Sequence, residues 1–342
     1  MITTIPWSDP NWLNLISAWI TTQLAQRNIH LNGTITQPHT GMWSTVLHVP
    51  TDGGIYYCKA SASSLAHEPM LTQLLANHQP HALPEIVAVD ESQGWMLMKE
   101  GGIRLRELIN DTKDIHHWTT LLPRYAQFQQ VMAVHADTLL TVGAFDRRLA
   151  SLPQQYEALL TDRAAMLIDY PKNAELDHLT EETYAQLKHL APTFAQLCQD
   201  LAAFGIPETI QHDDFHDGNI LVQNSTQTPQ YIFFDWGDAC VSHPFLTMLV
   251  TLRHTAYRLQ LAEDAPELIQ LRDAYLAAWR PYGSNGDLLE AFDLAYKIGM
   301  VCRALTWYAM VSTLPVGSAE WHENADSVPG WLLDFLDLAQ QN

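Results

Sequence analysis

Basic residues are scarce in this chain: 18 Lys and Arg stand against 38 Asp and Glu, a formal charge of −20. So acidic a surface repels phosphate backbones and anionic bilayers, which sets nucleic-acid and membrane binding aside. Cysteine is also thin. Cys58, Cys198, Cys240 and Cys302 are widely scattered, with no CxxC pair and no dense disulfide framework, so they read as free thiols in a reducing compartment. No apolar run approaches the roughly eighteen residues of a membrane span. The opening Met-Ile-Thr-Thr-Ile-Pro lacks the basic start and apolar stretch of a secretion signal, and the expectation is a cytoplasmic protein. Charged residues of both signs reach only 16%, whereas hydrophobic residues make up 47%, enough for a substantial buried core.

A length of 342 residues allows two domains, or one large domain whose two lobes share a cleft. Asp9-Pro10 can cap a first helix, in which Trp12, Leu13, Leu15, Ile16, Trp19 and Ile20 recur at helical spacing as far as about Arg27. Between residues 30 and 59, short Thr-, Ile-, Val- and Tyr-rich runs are broken by Gly33, Pro38, Gly41, Pro50 and Asp52-Gly53-Gly54, the pattern of a three-stranded antiparallel meander. A helix over 64–77 and two strands over 85–89 and 95–98 complete a compact first lobe. After Gly101-Gly102 the pattern turns helical, over 114–136, 144–169, 179–204, 264–279 and 286–314. A single interruption is expected there, a hairpin of strands 220–222 and 231–235 joined by the loop 223–230. The reading is an α+β protein with an N-terminal sheet lobe, residues 1–99, and a mainly helical lobe, residues 100–342.

The stretch richest in chemistry is Gln211-His212-Asp213-Asp214-Phe215-His216-Asp217-Gly218-Asn219, a polar loop leading straight into Ile220-Leu221-Val222. In a hairpin the residue before the first strand lies beside the residue after the second, so Asn219 and Asp235 should be neighbours. An amide oxygen and a carboxylate side by side are the hard ligands that Mg²⁺ accepts while keeping positions for water and phosphate oxygens. Asp214 then lies close enough to act as a base. Lys59, at the end of a strand, is the only Lys or Arg between Arg27 and Lys99. Strand alternation places it on the same face as Tyr57, where it could meet phosphate, with Glu68 as its natural ion-pair partner. A metal, a cation and a carboxylate that orients a hydroxyl are the parts phosphoryl transfer needs.

The pattern His212-x-Asp214-x4-Asn219, followed by Asp235-Trp236-Gly237-Asp238, resembles the catalytic and metal-binding motifs of the aminoglycoside phosphotransferase and choline kinase family, small-molecule relatives of the protein kinases. His216 and Gly218-Asn219-Ile220-Leu221 match the small-molecule branch. The resemblance implies a bilobal protein-kinase-like fold using ATP and Mg²⁺, with Asp214 as the catalytic base and Asn219 and Asp235 holding the metal. Lys59 would contact the α- and β-phosphates, positioned by Glu68, and His212 would be a structural brace. Adenine would meet the backbone near Met98, Lys99 and Glu100, and Ser44, in the single-glycine turn of the first hairpin, would donate to phosphate.

The chain departs from that family at several positions. Asp213 and Asp217 stand where Gly and Pro are frequent, and they either bind a cationic substrate or face water. Pro69 directly after Glu68 marks a helix start, which loosens the expected pairing with Lys59. Asp238 either supports the metal or caps the next turn. The acceptor is a small-molecule hydroxyl, possible classes being an aminoglycoside, another amine-bearing alcohol or a sugar. Two competing classes are a catalytically inert nucleotide-binding relative and a metal-dependent hydrolase with His212, Asp214 and His216 as ligands.

Overall fold

Strands β1 (Thr36–Thr40), β2 (Ser44–Thr51) and β3 (Gly54–Ser61) form the meander, and β4 (Ile86–Asp90) and β5 (Trp95–Lys99) extend it into one antiparallel sheet of order β1-β2-β3-β5-β4. These coordinates come from a computed structural model that describes residues 5–109, 114–168, 170, 176–223 and 228–340. Residues 1–4, residue 169 of the helix expected over 144–169 and residues 224–227 of the expected 223–230 loop lie outside the described set.

The alternation of the sheet sorts its side chains between two faces, with the apolar core on one of them. Leu47, Val49, Tyr56, Cys58, Ala60 and Leu97 pack against α1 (Trp12–Ala25), which contributes Trp12, Ile16, Ile20 and Leu24 at helical spacing. With Cys58 and Ala60 committed to that core, Lys59 and Ser61 must emerge on the opposite face, where α2 (Glu68–His78) begins. Pro69 sits in the first turn of α2, where its missing N–H is not needed, and leaves Glu68 as the first helical residue.

The chain falls into two compact units. The first comprises the described residues of Met1–Lys113, Thr141–Ala144 and Asp217–Asp238, and the second those of Asp114–Leu140, Phe145–His216 and Ala239–Asn342. The expected hairpin, Ile220–Gln223 paired with Gln230–Phe233, therefore packs within the first unit. It is joined there by a short strand, Ile103–Arg104, that the sequence pattern did not reveal. Gly102, at a φ of 116°, makes that pairing possible: a Cβ there would stand 2.5 Å from the carbonyl oxygen of Val222.

The second unit is helical, with His116–Met132, Leu152–Leu159, Glu181–His189, Ala191–Ala203, Thr247–Leu259, Pro266–Ala277, Asn285–Val311 and Ser327–Gln340 as its main helices. Three expectations are corrected. The 144–169 stretch is not one helix: Phe145–Asp146 is a strand and the helix starts only at Leu152, with Pro153 in its first turn. The 179–204 stretch breaks near Leu190, where Pro192 opens a new helix. The hairpin is also not the sole interruption of the helical region, since Phe145–Asp146, Cys240–Ser242 and Thr209–Gln211 form a small mixed sheet with Cys240–Ser242 at its centre. Strands of two or three residues are too short for alternation to register in sequence. No helix among the described residues is long and apolar enough to cross a membrane.

Candidate active site

In the first unit, the ammonium of Lys59 donates to Glu68 Oε1 at 2.6 Å and to Asp235 Oδ1 at 2.5 Å. Ser61, two residues along the same strand face, donates its hydroxyl to the other Glu68 oxygen at 2.7 Å. Glu68 is fully buried, whereas the Asp235 side chain is 46% exposed, so the network has a closed end and an open end. Burial works against the Lys59 ammonium, but Asp235 and Glu68 outweigh it and hold its pKa well above the usual lysine range. The pairing that Pro69 had loosened is thus present, because a first-turn carboxylate projects back toward the strand before the helix.

The hairpin brings Asn219 and Asp235 to the same end of its ladder. Phe233 pairs with Ile220, and the next N–H, of Phe234, donates to the Asn219 carbonyl at 3.2 Å. Asp235 then turns in the left-handed region, at φ 69°, and reaches Lys59. Trp236 follows, fully buried, its indole donating to the Phe233 carbonyl at 3.0 Å, and His67 Nε2 lies 3.0 Å from the Gly237 carbonyl. This anchoring determines where the Asp235 carboxylate points. Asp217, in the turn before Asn219, is buried and accepts from Arg106 Nε at 3.0 Å.

In the second unit, the Asp214 loop hangs from two buried rings. Phe215 stacks on Tyr125 with centroids 3.9 Å apart, its carbonyl accepts from Thr251, and the backbone N–H of the fully buried His212 donates to the Tyr125 hydroxyl at 3.2 Å. His212 is therefore embedded among aromatic residues, in keeping with a brace. Asp214 lies between the anchors with its side chain 32% exposed, His216 Nε2 3.2 Å from Oδ2 and Arg303 Nη2 3.6 Å from Oδ1. Burial opposes its charge, yet His216, Arg303 and His212 together hold its carboxyl well below the ordinary aspartate range. Asp213 is only 1% exposed, accepting from Arg303 Nη1 at 2.9 Å and from Gln211 Nε2 at 3.0 Å. Neither Asp213 nor Asp217 faces water or offers an open site for a cationic substrate, because each is buried against an arginine.

The residues expected to contact nucleotide lie within the sheet and its turns. Ser44 opens β2, and its carbonyl accepts from Gly41 N–H at 2.9 Å to close the first hairpin turn. Met98 pairs with Tyr57 and Ile86 inside the sheet. The N–H groups of Lys99 and Glu100 donate to the carbonyls of Glu85 and Ile55, each at 3.0 Å, so neither is open to a nucleotide base. Sequence reasoning missed Arg303 altogether. It lies about ninety residues from the loop it serves, and an arginine inside a helical apolar run gives no local signal. A cavity of about 650 Å³ also opens within the second unit, lined among others by Asp162, Leu167, Tyr308, Val311, Leu314 and Trp321.

A sequence model of the phosphotransferase enzyme family, APH, matches residues 37–284. No curated protein matches the chain. Among solved structures, an ethanolamine kinase of Plasmodium vivax is similar over 96% of this chain and 90% of its own, at 12% identity and a TM-score of 0.60. The GDP complex of an aminoglycoside 2'-phosphotransferase IIIa is similar over 96% and 98%, at 13% identity and a TM-score of 0.60. A type I macrolide 2'-phosphotransferase is similar over 91% and 95%, at 15% identity and a TM-score of 0.54. Identities this low speak for the fold, which is kinase-like and α+β, and not for the acceptor. The family match covers well over half of the sequence, and the chain belongs to the phosphotransferase enzyme family.

Proposed function

We propose that the protein transfers the γ-phosphate of ATP to a hydroxyl of a small molecule, with Asp214 as the general base. The observation that carries this reading is the Lys59 network: a buried ammonium whose partners are a fully buried carboxylate and a half-exposed one. Such an ammonium stays charged, is aimed by Glu68, and can exchange its Asp235 contact for phosphate oxygens without leaving its seat. Asp214, held ionised by its neighbours, accepts the proton of the attacking hydroxyl and orients it.

An amide and a carboxylate at the end of one hairpin, with no sulfur donor in the pair, fit Mg²⁺, and Asn219 and Asp235 would hold it. Bound there, the ion would neutralise phosphate charge. The four cysteines are free and buried, which suits a cytoplasmic setting.

The acceptor side of the proposal rests on the cavity in the second unit. Its Leu167, Val311, Leu314 and Trp321 walls would strand the many donors of a polyaminated sugar. An alcohol with an apolar body suits it better, with one donor directed to Asp162, where Tyr308 already donates at 3.0 Å. The test begins with nucleotide. ATP with Mg²⁺ at a hundred times its Kd should stabilise the fold by about 2.7 kcal/mol, read as a rise in Tm. No shift with ATP and Mg²⁺ at millimolar concentration would remove the basis of the proposal. A screen of hydroxyl acceptors graded from apolar amino alcohols to aminoglycosides then assigns the substrate.

A further inference from the structure

The guanidinium of Arg303 is buried, its side chain 7% exposed, and it reaches two consecutive residues of one short loop. Its Nη1 donates both to the carboxylate of Asp213, at 2.9 Å, and to the carbonyl of the same residue, at 3.0 Å. Its Nη2 stands 3.6 Å from Asp214 Oδ1, and Trp307, one turn further along the helix Asn285–Val311, carries the guanidinium over its ring at 5.8 Å. Asp213 itself has φ 63°, a conformation in which an L side chain crowds the following carbonyl and which glycine adopts freely. A non-glycine residue keeps such a step only where its surroundings over-determine it. Here they do: one oxygen of the Asp213 side chain is bound by Gln211, and the other, together with the backbone carbonyl, by Arg303.

We propose that Arg303 is the positioning residue of the Asp214 loop: gripping the carboxylate and carbonyl of Asp213, it locks the left-handed step that aims the next side chain, and with its second nitrogen it orients the Asp214 carboxylate. The inference rests on the reading of Asp214 as the base. Asp214 Oδ2 faces His216 and Oδ1 faces Arg303, so its orientation is defined from two sides. A lysine in place of Arg303 would supply a point charge but no fork, and could not bond two oxygens of Asp213 through one nitrogen while setting a second beside Asp214. The charged and titratable groups that shift the Asp214 carboxyl include His216 and His212 of its own loop and Arg303 of the helix.

The experiment compares wild type with Arg303→Lys, Arg303→Met and the double variant Asp213→Gly/Arg303→Met. The double variant guards against misfolding, because it removes the buried carboxylate that Arg303→Met would orphan and installs the residue that takes φ 63° without strain. The first readout is the titration of the Asp214 carboxyl by ¹³C NMR in aspartate-labelled protein, assigned by difference from Asp214→Asn. The second is phosphate release from ATP·Mg²⁺ with water as the acceptor, as a function of pH. The proposal expects the Asp214 midpoint to rise by about one pH unit or more in Arg303→Met and in the double variant, a tenfold gain in proton affinity. The acid limb of phosphate release should move up with it, with kcat down by about tenfold or more and KM for ATP within about twofold, since the lost contact is to the base and not to nucleotide. Arg303→Lys should keep the midpoint closer to wild type than Arg303→Met but not restore kcat. A folded double variant with a wild-type Asp214 midpoint would overturn the proposal, whatever its turnover. Unchanged phosphate release in Asp214→Asn would instead strike the base assignment, and the NMR titration would still decide whether Arg303 governs that carboxylate.

Discussion

Each compact unit contains one ion network of the same ingredients: a cation, two carboxylates, and an aspartate in the left-handed region. In the first unit these are Lys59, Glu68 and Asp235, with Asp235 at φ 69°, and in the second Arg303, Asp213 and Asp214, with Asp213 at φ 63°. What differs is which member meets solvent and which cation is used. Lys59 is a compact charge on a flexible stem, and the half-exposed carboxylate beside it is the strained aspartate, so the open end of that network can be exchanged for a ligand. Arg303 uses its planar fork on the strained aspartate, which is 1% exposed, and leaves the unstrained Asp214 partly open. Composition alone would give both networks the same role. On the proposed reading, exposure suits one to ligand exchange and the other to clamping a loop.

Substitutions can separate the two. The largest effect is expected at the open carboxylate of the clamp, where Asp214→Asn should lower phosphate transfer by about 10²- to 10⁴-fold while leaving stabilisation by ATP·Mg²⁺ intact. Because neighbours hold the Asp214 carboxyl below its ordinary range, that carboxylate is ionised throughout the neutral region. It should contribute no acid limb above pH 5, and its favourable interactions should be lost only as pH falls through the depressed value. Next is the closed end of the lysine network. Lys59→Met orphans the buried Glu68 carboxylate and should cost about 3–5 kcal/mol in urea unfolding, whereas Lys59→Met/Glu68→Leu should recover most of that. The folded pKa of Lys59 is raised, so its stabilisation should be complete below the ordinary lysine value and fade only as pH rises beyond about 10.4.

At the open end the same network should be tolerant. Asp235→Asn exchanges a half-exposed charge and should change stability by less than about 1 kcal/mol, but it should abolish the Mg²⁺ dependence of ATP stabilisation. A large loss of stability in this variant would erase the contrast drawn between the two ends. The smallest effect belongs to an ordinary surface pair, Arg163–Glu181, at 2.5 Å with side chains 40% and 70% exposed. Arg163→Ala should cost only about 0.2–1 kcal/mol and fade with salt.

The lysine network was more legible in the sequence than the clamp, for a physical reason. Lys59 stood alone in a stretch without other cations, strand alternation gave its face, and Glu68 followed nine residues later, so local rules sufficed. Asn219 and Asp235 were related by hairpin geometry, another local rule. Arg303 obeys none. It occupies a buried position in a helix whose other inward residues, Ile298, Val301, Cys302 and Ala304, are apolar or small, and nothing within ten residues announces its target. The same limit explains why Arg106 and Asp217 were not paired in advance, and why the short strands at 103–104, 145–146 and 240–242 went unseen: their partners lie far along the chain.

Hydrophobic periodicity, strand alternation and turn residues by themselves determined the five-stranded sheet, the helices Trp12–Ala25, Glu68–His78, His116–Met132, Pro266–Ala277 and Asn285–Val311 but not Thr247–Leu259 or Ser327–Gln340, and the order of Lys59, Asp214, Asn219 and Asp235. Tertiary structure decided that Asp213 and Asp217 are buried against arginines, that the N–H groups of Lys99 and Glu100 are engaged within the sheet, and that the 220–233 hairpin packs with the N-terminal unit. The reason is one of range. Local patterns specify which face of an element is apolar, but whether a charge on that element meets water or another charge depends on which distant segment covers it.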